Sequence, residues 1–187
     1  MNREEIEKEL KDAKCMLRGH FCLTSGLHSD VYFQCAKLYE NPKKVELLAK
    51  ELSSKLQVQS IDTVVSPAIG GIIFGYELAK QLGKRNLFVE RKDGKMQLRR
   101  GFELKKGERV LIVEDVVTTA KTIRETIEVL ENFDVEIIGY ACIIDRTKGK
   151  TRFEFKSLLK KDPNVYEPDD CPLCKENMPI DKPGSRV

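Results

Sequence analysis

Residues Glu108 to Arg124 read Glu-Arg-Val-Leu-Ile-Val-Glu-Asp-Val-Val-Thr-Thr-Ala-Lys-Thr-Ile-Arg. Val110 to Val113 is a short apolar run with no alternation, the pattern of a strand covered on both faces in a parallel sheet. Two adjacent acids, Glu114 and Asp115, then end it. In open α/β sheets ligands collect outside the carboxyl ends of strands, so this is a site position. Thr118 to Thr122 follow, small or hydroxylated apart from Lys121, and Ile123, Ile127 and Leu130 then recur at helical spacing. Backbone N–H groups at a helix start, with the positive dipole end behind them, bind phosphate, and threonine hydroxyls add donors. One turn can therefore hold a sugar through the acids and its phosphate through the loop. The same residues also fit a plainer description, two solvated acids followed by Thr118 as an N-cap.

Four apolar residues, two acids, two apolar residues and a Thr-rich turn resemble the phosphoribosyl-pyrophosphate (PRPP) signature of type I phosphoribosyltransferases. The resemblance implies that Glu114 and Asp115 engage the ribose hydroxyls. It implies equally that Val116, Val117, Thr118, Thr119, Ala120, Lys121 and Thr122 surround the 5-phosphate, with Thr118 also near the base. Members of the family often carry glycine where Ala120 and Lys121 stand, and close backbone approach to phosphate is easiest at glycine.

A second segment extends the resemblance. Gly19 to Phe33 holds two β-like runs joined by the turn residues Ser25 and Gly26, which predicts a hairpin. Within it, Phe-x-Leu-x-Ser-Gly-x-x-Ser followed by two aromatics is similar to the hairpin of orotate phosphoribosyltransferases. There it forms part of a hood over the base, and the aromatic pair, here Tyr32 and Phe33, lies along the pyrimidine. Ordinary strand packing is the other account of these aromatics. Some members have a lysine where Thr24 stands, so a pyrophosphate contact from that position does not carry over. His20 and His28 are assigned surface or hairpin roles.

The remaining chain alternates between the two secondary structures. Ile6, Leu10, Ala13 and Leu17 predict a helix over Glu4 to Leu17, and Asn41-Pro42 opens another with Val45, Leu48, Ala49, Leu52 and Leu56 on its apolar face. Asp62 to Ser66 reads as a buried strand, followed by Pro67-Ala68-Ile69-Gly70-Gly71 and a helix. Paired glycines after a strand let main-chain N–H groups approach an anion, or simply ease helix entry. The resemblance makes this turn, with Ile69 and Gly70, the pyrophosphate loop; some relatives have lysine where Ile69 stands.

Leu87 to Glu90 is a further strand, and Arg91 to Gly101 places five cations among few apolar anchors. A solvated mobile loop is one reading. Beside a polyanion site, however, such a loop can close over pyrophosphate and neutralise the leaving group. In the resembling family the corresponding loop does this, often across a subunit interface. Arg91 and Lys92 match its start and Lys95 its central lysine, which makes Lys95 catalytic together with Glu114 and Asp115. Gln97 stands where some relatives have histidine and cannot deliver a proton. Glu136 to Asp145 predicts another strand, Val135 to Ile144 being largely apolar, and it ends in Asp145-Arg146. Arg146 there offers a planar fork for a carboxylate, or pairs with Asp145 or Glu154; the resemblance makes it the reader of the orotate carboxylate.

Composition narrows the class. At 187 residues, with 34% charged residues and a formal net charge of +3, the chain suits one domain with a solvated surface and no nucleic-acid tail. No apolar run has membrane-spanning length, and Met1 to Lys11 is too charged for a signal peptide, which predicts a cytoplasmic protein. Cys15, Cys22, Cys35 and Cys142 sit in apolar surroundings and read as reduced thiols. Cys171-Pro-Leu-Cys174 can bind zinc, but a structural zinc site takes four ligands and the sequence has no second cysteine pair. No protein metal site is therefore expected. The resemblance, spanning Leu17 to Lys148, implies Mg2+ bound mainly through PRPP.

Together these readings predict an α/β fold with a mostly parallel central sheet flanked by helices, spanning residues 1–187 as one domain. The core would occupy about 39–145, and a small hood about 1–38 and 146–187. The implied reaction joins PRPP and orotate in a homodimer that shares the 91–101 loop. Transfer to a purine or uracil, or a non-catalytic PRPP-binding regulator, remain the alternatives. A regulator would usually add a nucleic-acid surface, and the basic cluster here lies in one loop.

Overall fold

The computed structural model of the chain describes residues 1–23 and 25–183. Thr24, singled out above, and residues 184–187 of the tail lie outside the described residues. In chain order the elements are α1 (Arg3–Asp12), β1 (Met16–Cys22), β2 (His28–Phe33), α2 (Pro42–Ser53), β3 (Thr63–Pro67), α3 (Gly70–Leu82), β4 (Arg85–Lys92), β5 (Lys95–Leu98), β6 (Arg109–Val117), α4 (Lys121–Leu130), β7 (Glu136–Asp145), β8 (Phe155–Lys160), β9 (Val165–Tyr166), α5 (Pro172–Lys175) and β10 (Ile180–Asp181).

Six strands form the central sheet in the order β5-β4-β3-β6-β7-β8. All neighbours are parallel except β4 and β5. The expected α/β architecture with a mostly parallel sheet is what the chain adopts. β6 explains why: Leu111 and Val113 enter the apolar cluster that includes Leu48, Leu52 and Leu78 of α2 and α3. Val110 and Ile112, pointing the other way, join Ile123 and Leu130 of α4. Alternate side chains of one strand are thus buried against helices on opposite faces. Burying such a side chain contributes about 1.5–3 kcal/mol, which a uniformly apolar strand gains twice over.

A second sheet, β10-β1-β2-β9, forms the hood. Its centre is the predicted hairpin, with Leu17 opposite Tyr32 and Cys22 opposite His28. β9 adds antiparallel to β2, and β10 adds parallel to β1 with His20 opposite Ile180.

Three boundaries differ from the sequence reading. The first helix ends at Asp12, not Leu17, because Lys14 turns the chain at φ 53 and Leu17 is recruited into β1. β8 belongs to the central sheet, pairing with β7 through Tyr140 and Phe155, so residues 155–160 are part of the core and not of the hood. The cationic segment after β4 is no irregular loop either. The strand continues to Lys92, turns at Asp93-Gly94, both at positive φ (51° and 78°), and returns as β5. Two such residues form the tight turn whose twist suits a hairpin.

Candidate active site

The sheet order reverses at β3: the chain passes from β3 outward to β4 and β5, then crosses back to place β6 on the other side of β3. A cleft at the carboxyl end of such a reversal is where open α/β sheets hold ligands. β6 pairs with β3 only as far as Ile112, whereas its pairing with β7 continues through Glu114 opposite Cys142 to Val117 opposite Asp145. The strand therefore does not stop at Val113, as the sequence suggested. The acids occupy the part of β6 that has lost one neighbour, and the turn after β3 fills the gap.

That turn approaches the acids closely. A Cβ built on Gly70 would lie 2.8 Å from Asp115 Oδ2, so any larger residue here would have to displace the carboxylate or the turn. Tyr39 Oη donates to the Gly70 carbonyl at 2.7 Å and holds the turn in place. Burial raises the Tyr39 hydroxyl pKa, and the neighbouring Asp115 adds to the shift. Ile69 is 85% exposed at the rim. Asp115 Oδ1 accepts from its neighbour Val116 N at 2.7 Å.

Both acids are largely withdrawn from solvent. Burial pushes the Glu114 carboxyl up to about 8, with the Asp115 charge adding to the effect. Asp115 is also raised by burial, against a lowering by the backbone N–H groups it accepts from. A carboxylate pair in this condition is poised for a partner that brings hydroxyls or positive charge.

The turn after β6 differs from a simple N-cap. α4 begins at Lys121, and its cap position is Ala120, in the left-handed region at φ 55 with no side-chain hydrogen bond. The description of Thr118 as an N-cap is thereby corrected. The first N–H groups of α4 have no side-chain cap, while Thr118 and Thr119 are exposed beside them. Thr122 is half-buried in the first turn, and Lys121 projects outward 4.0 Å from Glu125. Thr118 and Thr119 line a cleft of about 470 Å³ with Arg124, Arg146 and Lys148. A larger cleft of about 1200 Å³, between the 55–61 segment and the 137–156 region, contains neither acid and none of the hairpin lysines.

Arg146 follows β7. Its guanidinium carbon lies 5.1 Å from the centre of the Phe33 ring, and its Nε is buried with no hydrogen-bond partner among the described residues. Burial lowers its pKa, against raising contributions from Asp162 and Tyr32. Neither Asp145 nor Glu154 pairs with it; Asp145 Oδ1 instead accepts from the N and Oγ1 of Thr147 at 2.9 and 2.7 Å. Phe33 is buried in the main core cluster, and Tyr32 packs on Phe21 at 5.7 Å between ring centres. Phe33 thus borders the arginine directly, and Tyr32 is near enough to act on its charge.

The β4–β5 hairpin carries Arg91, Lys92 and Lys95. Arg91 is bound to Glu125 of α4 and donates to Gly94 O at 2.9 Å, while Arg99 and Arg100 pair with Glu90. Among the described residues Lys92 and Lys95 have no ion pair.

Comparison with known proteins meets this geometry directly. The profile of the phosphoribosyl transferase domain matches residues 35–173. The chain belongs to the phosphoribosyltransferase family. An orotate phosphoribosyltransferase from Thermoanaerobacter sp. (strain X514) is 49% identical over 188 residues, covering 100% of this chain and 99% of that one. One from Thermotoga maritima is 47% identical, covering 97% and 98%. Among solved structures, orotate phosphoribosyltransferase from Aeropyrum pernix aligns with a TM-score of 0.69 at 28% identity, covering 81% of this chain and 92% of that one. For a phosphoribosyltransferase, Ala120 is notable, since it holds by an alanine a left-handed turn that glycine adopts at less cost.

One pair of residues was missed by the sequence reading. His20 and His28, assigned surface or hairpin roles, are 3% and 8% exposed, and they lie against Cys171 and Cys174. The missing second pair of ligands for Cys171-Pro-Leu-Cys174 is thus present in the fold as two histidines. Only the His-x7-His spacing across a hairpin turn hinted at it.

Proposed function

We propose that this phosphoribosyltransferase is an orotate phosphoribosyltransferase, moving the 5-phosphoribosyl group from PRPP to orotate to give orotidine 5-phosphate and pyrophosphate. The reaction belongs to pyrimidine (UMP) biosynthesis. The observation that carries the choice of base is Arg146. A half-buried arginine whose buried Nε is unpartnered among the described residues, with its guanidinium over the Phe33 ring, suits a planar anionic ligand, and orotate brings a carboxylate. A purine or uracil offers none.

The same reading assigns the roles. Loss of pyrophosphate builds positive charge on the ribose and negative charge on the departing oxygens. Glu114 and Asp115 hold the ribose hydroxyls, and in their ionised forms, which positive charge developing on the ring favours, they stabilise that charge. The uncapped start of α4, with Val116 to Thr122, takes the 5-phosphate. Ile69 and Gly70 present main-chain groups to pyrophosphate. Lys92 and Lys95, with Arg91 positioning the hairpin, meet the leaving group. Orotate supplies its own nucleophile in N1, so no protein nucleophile is needed. Tyr32 and Phe33 bound the base, and Arg146 orients it for in-line attack.

Paired buried carboxylates whose ionisation is suppressed also fit a divalent cation. Mg2+, bound mainly through PRPP oxygens, would supply charge neutralisation of the pyrophosphate. Glu114 and Asp115 are the residues of this chain nearest to that task.

The enzyme is read as a homodimer in which the β4–β5 hairpin reaches the partner's site. Supporting this, Ile69, Ile73 and Tyr76 are exposed at helical spacing on the start of α3, an apolar strip suited to a second copy. All six cysteines are free, in keeping with a cytoplasmic setting. No helix among the described residues is long and apolar enough to cross a membrane.

The deciding experiment incubates purified protein with PRPP, magnesium and each candidate base while pyrophosphate release is followed. Orotate alone should support turnover. Release with adenine or uracil but not orotate would overturn the assignment, and binding of PRPP without turnover on any base would favour the regulatory module.

A further inference from the structure

We infer that His20, His28, Cys171 and Cys174 form a closed zinc site that rivets the hood. Their ligating atoms all lie within 4.8 Å of one another. His20 Nε2 is 2.9 Å from His28 Nδ1, 3.6 Å from Cys171 Sγ and 3.6 Å from Cys174 Sγ, and Cys174 Sγ is 3.3 Å from His28 Nδ1. A tetrahedral ion with bonds of about 2.0 Å to nitrogen and about 2.3 Å to sulfur needs edges of roughly 3.3 to 3.8 Å. These four separations are within about 0.4 Å of such edges, while the widest in the cluster, 4.8 Å, is about 1 Å longer than an edge and closes when the ion draws the ligands together.

Each ligand is aimed by its local structure. His20 and His28 lie on the two antiparallel strands of one hairpin, near its turn. The short helix α5 brings Cys171 and Cys174 to one side, three residues apart, with Lys175 N donating to Cys171 O. His20 Nδ1 is 2.8 Å from the Met178 carbonyl, which can only accept. Nδ1 therefore carries the proton, and the Nε2 lone pair faces the thiols and the other imidazole. A backbone carbonyl orienting a ligating imidazole in this way is the usual outer support of a zinc site.

The donor set also selects the metal. Two thiolates and two imidazoles suit zinc, whereas Mg2+ and Ca2+ prefer oxygen. Four protein ligands leave no open position, which makes the site structural and not catalytic. On binding, each thiol gives up its proton to solvent and the ion bonds to both sulfurs and both free ring nitrogens. The hairpin and the C-terminal segment, which otherwise meet through short strand pairs, are then tied directly.

The test loads purified wild-type protein with zinc, removes excess by gel filtration and measures metal per chain. About one tightly held zinc is expected, with Cys22→Ser, an unused thiol of the same hairpin, unchanged. Cobalt substitution should give the visible spectrum of a tetrahedral site with sulfur ligands. Chelation should lower the wild-type Tm by about 5 °C or more, restored by zinc. Cys174→Ser with His28→Asn should abolish both the stoichiometric metal and the chelator response. Zinc retention by wild type no greater than by the double variant would overturn the site. So would a cobalt spectrum without sulfur ligation, or a Cys171–Cys174 disulfide that persists in protein purified without oxidant.

Discussion

Lys92 and Lys95 stand directly opposite each other on the strands that flank the Asp93-Gly94 turn. Like charges at such a pair weaken a hairpin by about 0.2–1 kcal/mol, and every arginine around them is already neutralised by Glu90 or Glu125. The arrangement is unfavourable for the empty hairpin and favourable once a polyanion lies between the amines. Lys95→Thr should therefore leave the thermal midpoint unchanged or slightly raised while lowering kcat/KM for PRPP about tenfold or more. A variant that loses stability and keeps its kinetics would remove the lysines from the site.

The shared-site reading has its own test. When Lys92→Ala chains are mixed with Asp115→Asn chains and subunits exchange, one site of each mixed dimer inherits both defects and the other neither. Activity should then return toward half of a wild-type dimer's. Mixed dimers confirmed by mass but inactive would confine Lys92 to its own chain.

Glu114 should leave a signature on stability. Its carboxyl is raised to about 8 in the folded chain against 4.5 for the free group, so the folded state binds a proton that the unfolded state has lost. Ligand-free protein is then most stable, with respect to this residue, below pH 4.5, and it loses that contribution as the pH rises to about 8. The full loss is on the order of 2–4 kcal/mol. Asp115, raised in the same direction, adds to the slope. Glu114→Gln should flatten the Tm-against-pH curve and raise Tm at pH 8 while cutting turnover. A Tm profile identical to wild type would show that Glu114 ionises normally.

Gly70→Ala is a probe of the approach between the β3 turn and β6. The new methyl would sit 2.8 Å from Asp115 Oδ2 and 3.0 Å from Asp115 Cγ, displacing either the carboxylate or the turn. We expect kcat/KM to fall by about tenfold or more, with a smaller change in Tm. Kinetics like wild type would mean that the turn yields freely and does not set the site.

Arg146→Ala should raise the KM for orotate far more than that for PRPP, since a hydrogen bond to a charged group contributes about 1.5–3 kcal/mol, or roughly 10- to 150-fold. Arg146→Lys should recover little, because an ammonium lacks the planar fork that stacks on Phe33. Equal losses for both substrates would argue against a carboxylate reader.

What could be read from the sequence was whatever depends on neighbours in the chain. Val110 to Val113 announced a doubly covered strand, Asn41-Pro42 opened a helix as written, and Glu114-Asp115 with the threonine turn stands at the carboxyl end of β6, ahead of α4. Long-range competition accounts for the rest. Leu17 fits a helical stripe, yet pairing with Tyr32 in the hairpin claims it. The cations after Glu90 look like a loop because alternation is hidden when most side chains are polar. The histidine and cysteine cluster joins residues up to 154 positions apart, a distance over which no local pattern operates.

The parallel pairing of β10 with β1 has a consequence for how the molecule is made. His20 meets Met178 across 158 residues, so a chain emerging from the ribosome presents all six core strands before the hood can close. Such a distant closure carries a large loop entropy and comes late. During synthesis, the central sheet can be assembled while the N-terminal hairpin is still waiting for the last strand that pairs with it.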